Sequence, residues 1–479
     1  MQDIVVIKGD GIGPEITDAT LRVLDASGAE FNPVPAIAGL AAYEAGVKNG
    51  LPAETLRHLQ DIGVALKAPL ATPTGGGYRS VNVGIRGALS LFANYRPIRE
   101  LPNMPNRFAG AGVDFVLMRE NSEDLYIGQE YKLSPDVAVA MKVISDLASE
   151  RIIRAAFEVA RLEGRSTVHL AHKGNILQLT EGKFADMLAK VSRDYPAIGA
   201  ETIIVDNLAE KLITNPQKFQ VVVMTNMNGD ILSDEGAGIL GSLGLAPSAN
   251  LGRNAAMFEA VHGTAPDIAG KNWANPTAMI LSAELMLRHI GQTDAAVRLW
   301  NAVMTTLEKG EKRTGDVMTP TSIKVGTDEF ADEIIKNMGK MPENPKFQHV
   351  IGTELPDLSQ IKLTQRTISK SERLLGLDVM IASDAKPEDI AEKFKRLKDP
   401  SVDLEFIAER GQVVYPSSIK HDESSGVLTL RLIGKEGAAI SNQEMGRTLS
   451  RLSTYFNIRS SSALLEIDGK KSYSELSGA

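Results

Sequence analysis

The sequence predicts an α/β protein that carries a smaller α+β domain near its C-terminal end. Through about residue 340, short apolar and β-branched runs, each typical of a buried strand, alternate with amphipathic stretches typical of helices. From residue 376 onwards the predicted elements follow the order β-α-β-β-α-β, the split pattern of a ferredoxin-like domain. Between these parts, Pro342, Pro345 and Pro356 interrupt any regular element, so we interpret residues 340–374 as a linker.

The individual elements follow from these patterns in chain order. Residues 3–8 form an apolar strand, and Pro14 is favourable at the first position of the next helix, which extends to about residue 25. The remaining strands of the first part are predicted at residues 64–69, 113–118, 167–171, 201–206 and 219–224, and its helices at 147–163, 277–290, 294–309 and 328–338. In the second part, strands are predicted at 376–382, 402–408, 426–433 and 460–467, and helices at 387–397 and 441–455.

Composition excludes several classes of protein. The 479 residues are 43% hydrophobic and 23% charged, which is ordinary for a globular protein large enough for two or three domains. The net charge of −8 disfavours nucleic acid or an anionic membrane as a partner. Because the chain has no cysteine, disulfides, thiolate zinc sites and thiol catalysis are excluded. No apolar run approaches the ~20 residues of a membrane span, and the strand at residue 3 leaves no room for a signal peptide, so we expect a cytoplasmic enzyme.

Three aspartates indicate a site for a divalent metal ion. After a predicted strand, the Asn-Gly pair at residues 228–229 indicates a turn, and a helix is predicted to follow. Asp230 and Asp234 then lie four residues apart, on one face of the first helical turn. Asp206 is predicted at the carboxyl end of a strand, where ligands bind in open α/β sheets. Carboxylate oxygens suit Mg²⁺ or Mn²⁺, although two acids at a helix start also suit the helix dipole without a metal.

Three arginines at strand ends and loop starts predict a binding site for an anion with several carboxylates. Arg86, Arg96 and Arg119 each lie near hydroxyl or amide side chains in the sequence, an arrangement that suits bidentate carboxylate binding. Ser80 and Asn82 precede Arg86, and Ser80 could also cap the helix that begins there. Scattered arginines are more often ordinary surface residues, and that alternative stays open at this point.

Two further segments are candidates for catalysis and cofactor binding. Lys173 follows a strand and precedes a glycine, a position that suits a catalytic base, although an ordinary surface lysine is the alternative. Residues 258–270 form a loop of small residues that a ligand can approach closely, and Asp267 could accept hydrogen bonds from a ribose. The glycines within residues 9–13 imitate a dinucleotide-binding fingerprint, but Pro14 replaces the last glycine, so a Rossmann fold is disfavoured.

Six motifs together resemble the β-decarboxylating dehydrogenases, which form the isocitrate/isopropylmalate dehydrogenase family. They are GDGIGP at residues 9–14, RSVNVGIR at 79–86, RENSEDLY at 119–126, HKGN at 172–175, NMNGDILSD at 226–234 and HGTAP at 262–266. The resemblance covers about residues 1–340 and implies a large and a small domain on one shared sheet that is not a Rossmann fold. The tail from about residue 375 resembles, more weakly, the extra C-terminal domain of some bacterial members.

The resemblance also implies a division of the chain and a homodimer. The implied parts are a large domain at 1–91 and 241–339, a small domain at 92–123 and 146–240, a dimer clasp at 124–145, a linker at 340–374 and a ferredoxin-like C-terminal domain at 375–479. Each active site is completed by the neighbouring subunit: one supplies Tyr126, Asp230 and Asp234, and the other supplies Lys173, Asn175 and Asp206. A higher oligomer formed through the C-terminal domain is left open.

The chemistry implied by the resemblance is oxidative decarboxylation of isocitrate to 2-oxoglutarate and CO₂, a reaction of the tricarboxylic acid cycle. Mg²⁺ or Mn²⁺ on Asp206, Asp230 and Asp234 would bind the substrate and stabilise the enolate formed on loss of CO₂. Lys173 would accept the hydroxyl proton, and Tyr126 would protonate the enolate. The implied substrate-binding residues are Ser80, Asn82, Arg86, Arg96, Arg119 and Asn175. The implied cofactor-binding residues are Thr72, Glu259, His262, Gly263, Thr264, Ala265, Pro266, Asp267, Ile268 and Asn275.

Individual residues favour one substrate and one cofactor within the family. Isopropylmalate-type relatives have apolar residues where this chain has Ser80 and Asn82, which can hydrogen-bond a third carboxylate. We therefore expect isocitrate, with homoisocitrate or 3-isopropylmalate as the alternative. NADP-using members typically carry Lys-Tyr where this chain has Asp267 and Ile268. Because a carboxylate accepts a ribose 2′-hydroxyl and repels a 2′-phosphate, we expect NAD.

Two hypotheses concern regulation rather than chemistry. Some relatives are non-catalytic regulatory subunits, but the complete set of Tyr126, Lys173 and the three aspartates disfavours that alternative. In some bacterial relatives the serine at the position of Ser80 is phosphorylated, which would add negative charge that repels an acidic substrate.

Overall fold

The computed structural model describes residues 1–73, 77–78, 80–349, 354–364, 369, 371–417 and 423–475. Arg79, part of the glycine-rich run at 75–77 and parts of the predicted linker lie outside the described residues. The strands are β1 Gln2–Ile7, β2 Phe31–Ala36, β3 Val64–Lys67, β4 Ala93–Arg99, β5 Asp114–Glu120, β6 Glu130–Lys132, β7 Ala138–Ala140, β8 Thr167–His172, β9 Gly199–Ile204, β10 Val221–Met224, β11 Pro247–Leu251, β12 Ala256–Ala260, β13 Lys312–Arg313, β14 Ile323–Lys324, β15 Glu372–Ala382, β16 Val402–Glu409, β17 Gln412–Tyr415, β18 Val427–Gly434, β19 Asn457–Ile467 and β20 Lys470–Lys471. The α-helices are α1 Gly13–Ala26, α2 Leu40–Glu44, α3 Ala53–Ile62, α4 Val81–Ala88, α5 Asp146–Leu162, α6 Thr180–Val191, α7 Val205–Thr214, α8 Asn226–Leu240, α9 Thr277–His289, α10 Thr293–Lys309, α11 Thr327–Lys336, α12 Pro387–Leu397 and α13 Asn442–Leu452.

The chain divides into two compact units. The first comprises Met1–Ile127 and Val143–Leu363, and the second comprises Gly128–Lys142 and Thr364–Ala479. None of the helices in the described part of the chain is both long enough and apolar enough to cross a membrane. The cytoplasmic location and the finer domain boundaries given above stay predictions.

The first unit is built on a mixed ten-stranded sheet, with the order β2-β1-β3-β12-β11-β4-β5-β10-β8-β9. Strands β4 and β11 run antiparallel to their neighbours, whereas β5, β10, β8 and β9 form a parallel block. The predicted α/β class is confirmed, and the mixed sheet differs from the parallel sheet of a Rossmann fold. Alternation of buried strands with helices on the sheet produces one large apolar core, which includes Val221–Met224 and the buried faces of α5 and α9.

The parallel block brings the candidate residues to one edge of the sheet. Arg119 is in register with Met224 of β10, just before helix α8, and β10 is in turn paired with β8, which ends at His172 beside Lys173. The carboxyl ends of parallel strands are the usual ligand-binding edge of an open α/β sheet. The fold therefore places Arg119 and Lys173 at strand ends, as the sequence predicts. Arg86 and Arg96 do not lie at strand ends, because Arg86 lies in helix α4 and Arg96 lies within β4.

Two local predictions are wrong at the start of α7 and α8. The Asn-Gly pair at 228–229 is not a turn, because α8 already begins at Asn226. Gly229 instead allows close packing, since a Cβ atom there would lie 2.6 Å from Cγ of Arg119. Asp206 does not end a strand but lies in the first turn of α7, because β9 ends two residues earlier.

The second unit contains an antiparallel six-stranded sheet with the order β17-β16-β18-β15-β19-β20. Its four central strands and helices α12 and α13 form the predicted β-α-β-β-α-β arrangement, whereas the short outer strands β17 and β20 were not predicted. Alternate residues of β15, among them Leu377, Val379 and Ile381, are fully buried in its core. Helix α13 begins with a capping box in which Ser441 and Glu444 bond each other's backbone N–H groups.

Candidate active site

A polar cavity of about 260 Å³ in the first unit collects all three predicted arginines. Its lining residues are Pro69, Leu70, Ser80, Asn82, Val83, Arg86, Arg96, Arg119, Tyr126, Asp230, Glu259, Ala260, Val261, His262 and Gly263. The arginines come from helix α4 and strands β4 and β5, so the sheet brings them together from distant parts of the sequence. The cavity therefore combines three guanidinium groups with two carboxylates, which suits an anionic ligand.

Arg119, Tyr126 and Asp230 form a hydrogen-bonded group within this cavity. Arg119 donates to one carboxylate oxygen of Asp230, and the Tyr126 hydroxyl donates to the other. The Arg119 guanidinium also lies 4.9 Å from the centre of the Tyr126 ring and donates to Asn226. The phenol is thus held against both a positive guanidinium and a carboxylate, a position from which it can donate or accept a proton.

Burial and mutual repulsion depress the pKa values of two arginines. Burial, followed by the positive charge of Arg119, lowers the pKa of Arg96 to about 9. Burial and the charge of Arg86 likewise lower the pKa of Arg119. A bound polyanion would relieve this repulsion, so the electrostatics of the cavity favour an acidic ligand.

The two acidic side chains on α8 have opposite pKa shifts. Burial alone would raise the pKa of Asp230, but the Arg119 charge and the Tyr126 hydrogen bond hold it below its usual value. Burial raises the pKa of Asp234, and its neighbour Asp230 adds to that rise. Asp230 therefore favours its ionised form beside the arginines. The carboxyl group of Asp234 is protonated more readily, because its pKa is raised.

Arg86 is held in position by a buried ion-pair network. Glu259 accepts from Lys67 Nζ at 2.6 Å, from Arg86 Nη2 at 2.8 Å and from Asn250 Nδ2 at 2.8 Å. Lys67 has no exposed surface, and Glu259 is 5% exposed. Although burial opposes it, the two cations lower the pKa of the Glu259 carboxyl. Both oxygens of Glu259, a predicted cofactor ligand, are thus engaged by the protein, and they orient Arg86.

Ser80 and Asn82 line the same cavity, as predicted for substrate-binding residues. Ser80 is the N-cap residue of α4, but its side chain makes no capping hydrogen bond, so the predicted capping role is wrong. The Asn82 Oδ1 atom and the Arg86 Nε atom are buried without a hydrogen-bond partner among the residues that the structure describes. Unsatisfied polar atoms that face a cavity indicate a ligand that would pair with them.

Lys173 and Asp206 form a separate pair. Lys173 Nζ donates to Asp206 Oδ1 at 2.5 Å, and this hydrogen bond lowers the pKa of the Asp206 carboxyl. Neither residue lines the polar cavity, and the same holds for the exposed Asn175. Among the described residues of this single chain, no three acidic or histidine side chains lie close enough to hold a metal ion. The structure thus brings Tyr126 and Asp230 together but leaves Lys173 and Asp206 as a second group.

The predicted metal ligands nevertheless have suitable chemistry. Asp230 and Asp234 present carboxylate oxygens from one face of α8, which is the donor type that Mg²⁺ and Mn²⁺ prefer. Asp206 is exposed in the first turn of α7, so its carboxylate is accessible to a ligand. Within the described part of this chain, however, Asp206 does not lie close enough to Asp230 and Asp234 to share a metal ion with them.

A larger cavity of about 550 Å³ adjoins the polar one and shares His262 and Gly263 with it. Of the predicted cofactor-binding residues it is lined by His262, Gly263, Ala265, Ile268 and Asn275. The predicted residues Thr72, Thr264, Pro266 and Asp267 do not line it. The Nε2 atom of His262 is buried and has no partner within the described part of the chain, which again indicates a ligand.

The sequence analysis did not predict several residues of the site. Lys67 anchors Glu259, and Asp316 lies in the larger cavity, where it accepts from Ser242 and Asn275. Trp273 and Lys324 line that cavity as well. A lysine inside the otherwise apolar run at residues 64–67 was a usable signal for a buried ion pair, whereas nothing local to Lys324 indicated a site.

Comparison with known proteins identifies the family. Residues 3–334 match the isocitrate/isopropylmalate dehydrogenase family, and residues 372–479 match the bacterial isocitrate dehydrogenase C-terminal domain. The chain belongs to the isocitrate/isopropylmalate dehydrogenase family.

Two curated relatives and one solved structure match over nearly the whole chain. A protein of Thermus thermophilus named isocitrate dehydrogenase [NADP] is 40% identical over 99% of this chain and 95% of its own length. A Rickettsia conorii protein of the same name is 37% identical over 99% of both chains. The crystal structure of the TT0538 protein from Thermus thermophilus has a TM-score of 0.93 and 40% identity, covering 100% of this chain and 96% of that one.

These relatives overturn the expected cofactor. The NAD preference inferred from Asp267 is wrong, because relatives that match over 99% of the chain are named as NADP enzymes. The physical reason lies in the position of the residue: Asp267 is exposed and does not line the larger cavity, whereas Lys324 does. A carboxylate outside the cavity is screened by solvent from a cofactor inside it. Its charge therefore does not decide between the 2′-hydroxyl of NAD and the 2′-phosphate of NADP.

Proposed function

We propose that this protein catalyses the NADP-dependent oxidative decarboxylation of isocitrate to 2-oxoglutarate and CO₂. The main support for this proposal is that the polar cavity and the larger cavity meet. Three arginines converge in a polar cavity suited to a small polyanion, and this cavity shares His262 and Gly263 with a cavity large enough for a dinucleotide end. A substrate carbon and a nicotinamide placed on either side of His262 would be adjacent, which hydride transfer requires.

The chain's own residues have separable roles in this reaction. Arg86, Arg96 and Arg119 bind the carboxylates of the substrate and hold its reacting carbon in place. Asn82, with its unpaired buried oxygen, and Ser80 contact the polar end of the ligand. The Tyr126 hydroxyl, held by Asp230 and beside Arg119, delivers a proton to the carbon that has lost CO₂.

Lys173 and the metal ligands complete the site. Lys173 accepts the proton of the substrate hydroxyl as its neutral amine and becomes an ammonium group, and the hydrogen bond from Lys173 Nζ to Asp206 fixes the position of that nitrogen. Asp206, Asp230 and Asp234 would hold Mg²⁺ or Mn²⁺, which supplies Lewis-acid stabilisation of negative charge on the substrate oxygen when it is bound.

The two separate groups support a homodimer with shared active sites. Lys173 and Asp206 lie apart from the cavity that holds Tyr126 and Asp230, so a complete site needs a second copy of the chain. Exposed apolar residues lie directly beside both groups, since Ile176 is 68% exposed and Ile231 is 61% exposed. Burial of these side chains in a subunit interface would stabilise the dimer.

Subunit complementation tests this arrangement. Tyr126→Phe and Lys173→Met chains are each expected to be nearly inactive as homodimers. When the two are co-expressed at equal levels, half of the dimers are mixed and hold one intact site, so activity should recover to about one quarter of wild type. No recovery would contradict shared sites while leaving the reaction itself untouched.

Substrate choice is tested by initial rates at fixed NADP and Mg²⁺ with isocitrate, homoisocitrate and 3-isopropylmalate. We expect isocitrate to have the highest kcat/KM, and Asn82→Leu to reduce that preference because it replaces a polar contact by an apolar one. A wild-type preference for 3-isopropylmalate would overturn the substrate proposal. Absence of turnover with every acid would favour a regulatory subunit instead.

A further inference from the structure

The larger cavity carries positive charge at its rim that the reaction itself does not use. Lys324, at the end of strand β14, lines the cavity together with Trp273, and Trp273 is 52% exposed. Lys271 does not itself line the cavity, but it lies two residues before Trp273 on the loop that follows His262. Both ammonium groups lie beside the same indole ring, with Lys271 Nζ 5.3 Å and Lys324 Nζ 5.2 Å from its centre.

Neither lysine has an acidic partner in the described part of the chain. Lys271 donates to the backbone carbonyl of Asp267 at 2.7 Å rather than to its carboxylate. The acidic group that lines the cavity, Asp316, is already engaged by Ser242 and Asn275. Two ammonium groups without an acidic partner beside one ring make this part of the chain locally positive, which favours an anion close to them.

The backbone leaves room for Lys324 to reach the cavity. Residue 315 is a glycine that also lines the cavity, and a Cβ atom there would lie 3.1 Å from Cε of Lys324. Strand β14 is only two residues long, and it holds Lys324 in register with the fully buried Arg313 of β13. The backbone of Lys324 is therefore held by the strand pair, and the glycine at residue 315 leaves space for the end of its side chain.

We propose that Lys324 and Lys271, which share the ring of Trp273, select the 2′-phosphate of NADP. This inference rests on the proposed function. A 2′-phosphate carries about two negative charges, and a ribose 2′-hydroxyl carries none, so the two ammonium groups favour the phosphorylated cofactor. They take the place of the Lys-Tyr pair that this chain lacks after Pro266, and they outweigh the single exposed carboxylate of Asp267.

Direct binding measurements test this without turnover. Adenosine 2′,5′-bisphosphate and ADP are titrated calorimetrically into the full-length wild type and into Lys324→Gln and Lys271→Gln. A charged hydrogen bond is worth about 1.5–3 kcal/mol, so each variant should bind the 2′-phosphate ligand about 10–100-fold more weakly, with ADP affinity changed less than about twofold. Lys312→Gln is the control, because Lys312 lies on the neighbouring strand β13 but does not line the cavity and lies 3.6 Å from Glu333 rather than beside Trp273.

The outcomes separate this inference from the proposed cofactor. If the wild type prefers the 2′-phosphate ligand and both lysine variants keep that preference, the two lysines do not select it and the inference is overturned. An equal loss of both ligands would also overturn it, because the lysines would then support the cavity in general. A wild type that binds ADP as tightly as the 2′-phosphate ligand would instead contradict NADP use itself.

Discussion

The substitution Glu259→Gln tests the buried ion-pair network that Glu259 forms with Lys67 and Arg86. Glu259→Gln keeps the size of the side chain but removes the charge that pairs with Lys67 and Arg86. Lys67 is fully buried, so it would be left as an unpaired ammonium group. Removing one partner of a buried ion pair typically costs about 3–5 kcal/mol of unfolding free energy, and we expect a loss of that size.

The pH dependence of that loss identifies Lys67 as its cause. Burial already lowers the pKa of Lys67, while Glu259 raises it, so the variant lowers it further. The folded variant then releases a proton that the unfolded chain retains up to its pKa of about 10.4. Since the unfolded state binds more protons, the unfolding free energy of the variant rises with pH, by at most about 1.4 kcal/mol per unit.

Urea denaturation at a fixed protein concentration measures both effects. The difference in unfolding free energy between wild type and Glu259→Gln should become smaller as the pH rises from neutral towards the pKa of a free lysine. The double variant Lys67→Met/Glu259→Gln removes the stranded charge, so it should be more stable than Glu259→Gln alone and should lose the pH dependence. If the double variant were the less stable of the two, or if the difference did not change with pH, the account of Lys67 would be refuted.

Three further changes test the site. Tyr126→Phe should lower kcat by about 10²–10⁴-fold in steady-state assays, because a proton donor is lost, and an unchanged kcat would exclude that role. Gly229→Ala should lower the unfolding free energy by about 1–3 kcal/mol in urea titrations, because the new Cβ atom would lie 2.6 Å from Arg119 Cγ. Treatment with EDTA should abolish turnover and added Mg²⁺ should restore it, whereas full activity after EDTA would argue against a metal.

Local spacing explains why much of the site could be predicted from the sequence. Asp230 and Asp234 share a helix face in the structure even though the predicted turn before them is absent, because a four-residue spacing survives a shift of the helix start. The arginines were found because each has hydroxyl or amide side chains near it in the sequence, although Arg86 lies in the last turn of α4 and Arg96 lies within β4. The sheet and the helix nevertheless bring all three to one cavity.

The parts that could not be predicted depend on contacts between distant residues or chains. The charge of Asp267 was weighed alone, although it is Lys324, from a strand far along the chain, and not Asp267, that lines the larger cavity. Asp206 was grouped with Asp230 and Asp234 because it was predicted to end a strand, but within this chain it pairs with Lys173. Neither relation leaves a local pattern in the sequence, because contacts between residues far apart in the chain set both.

The most direct test of the proposed function is the reaction with isocitrate, Mg²⁺ and either NADP or NAD as the only variable. We expect formation of NADPH, 2-oxoglutarate and CO₂ in equal amounts, with a higher kcat/KM for NADP than for NAD. A higher kcat/KM for NAD would contradict the proposed cofactor. Reduction of the cofactor without 2-oxoglutarate, or no reduction at all, would contradict the assignment of isocitrate decarboxylation to this site.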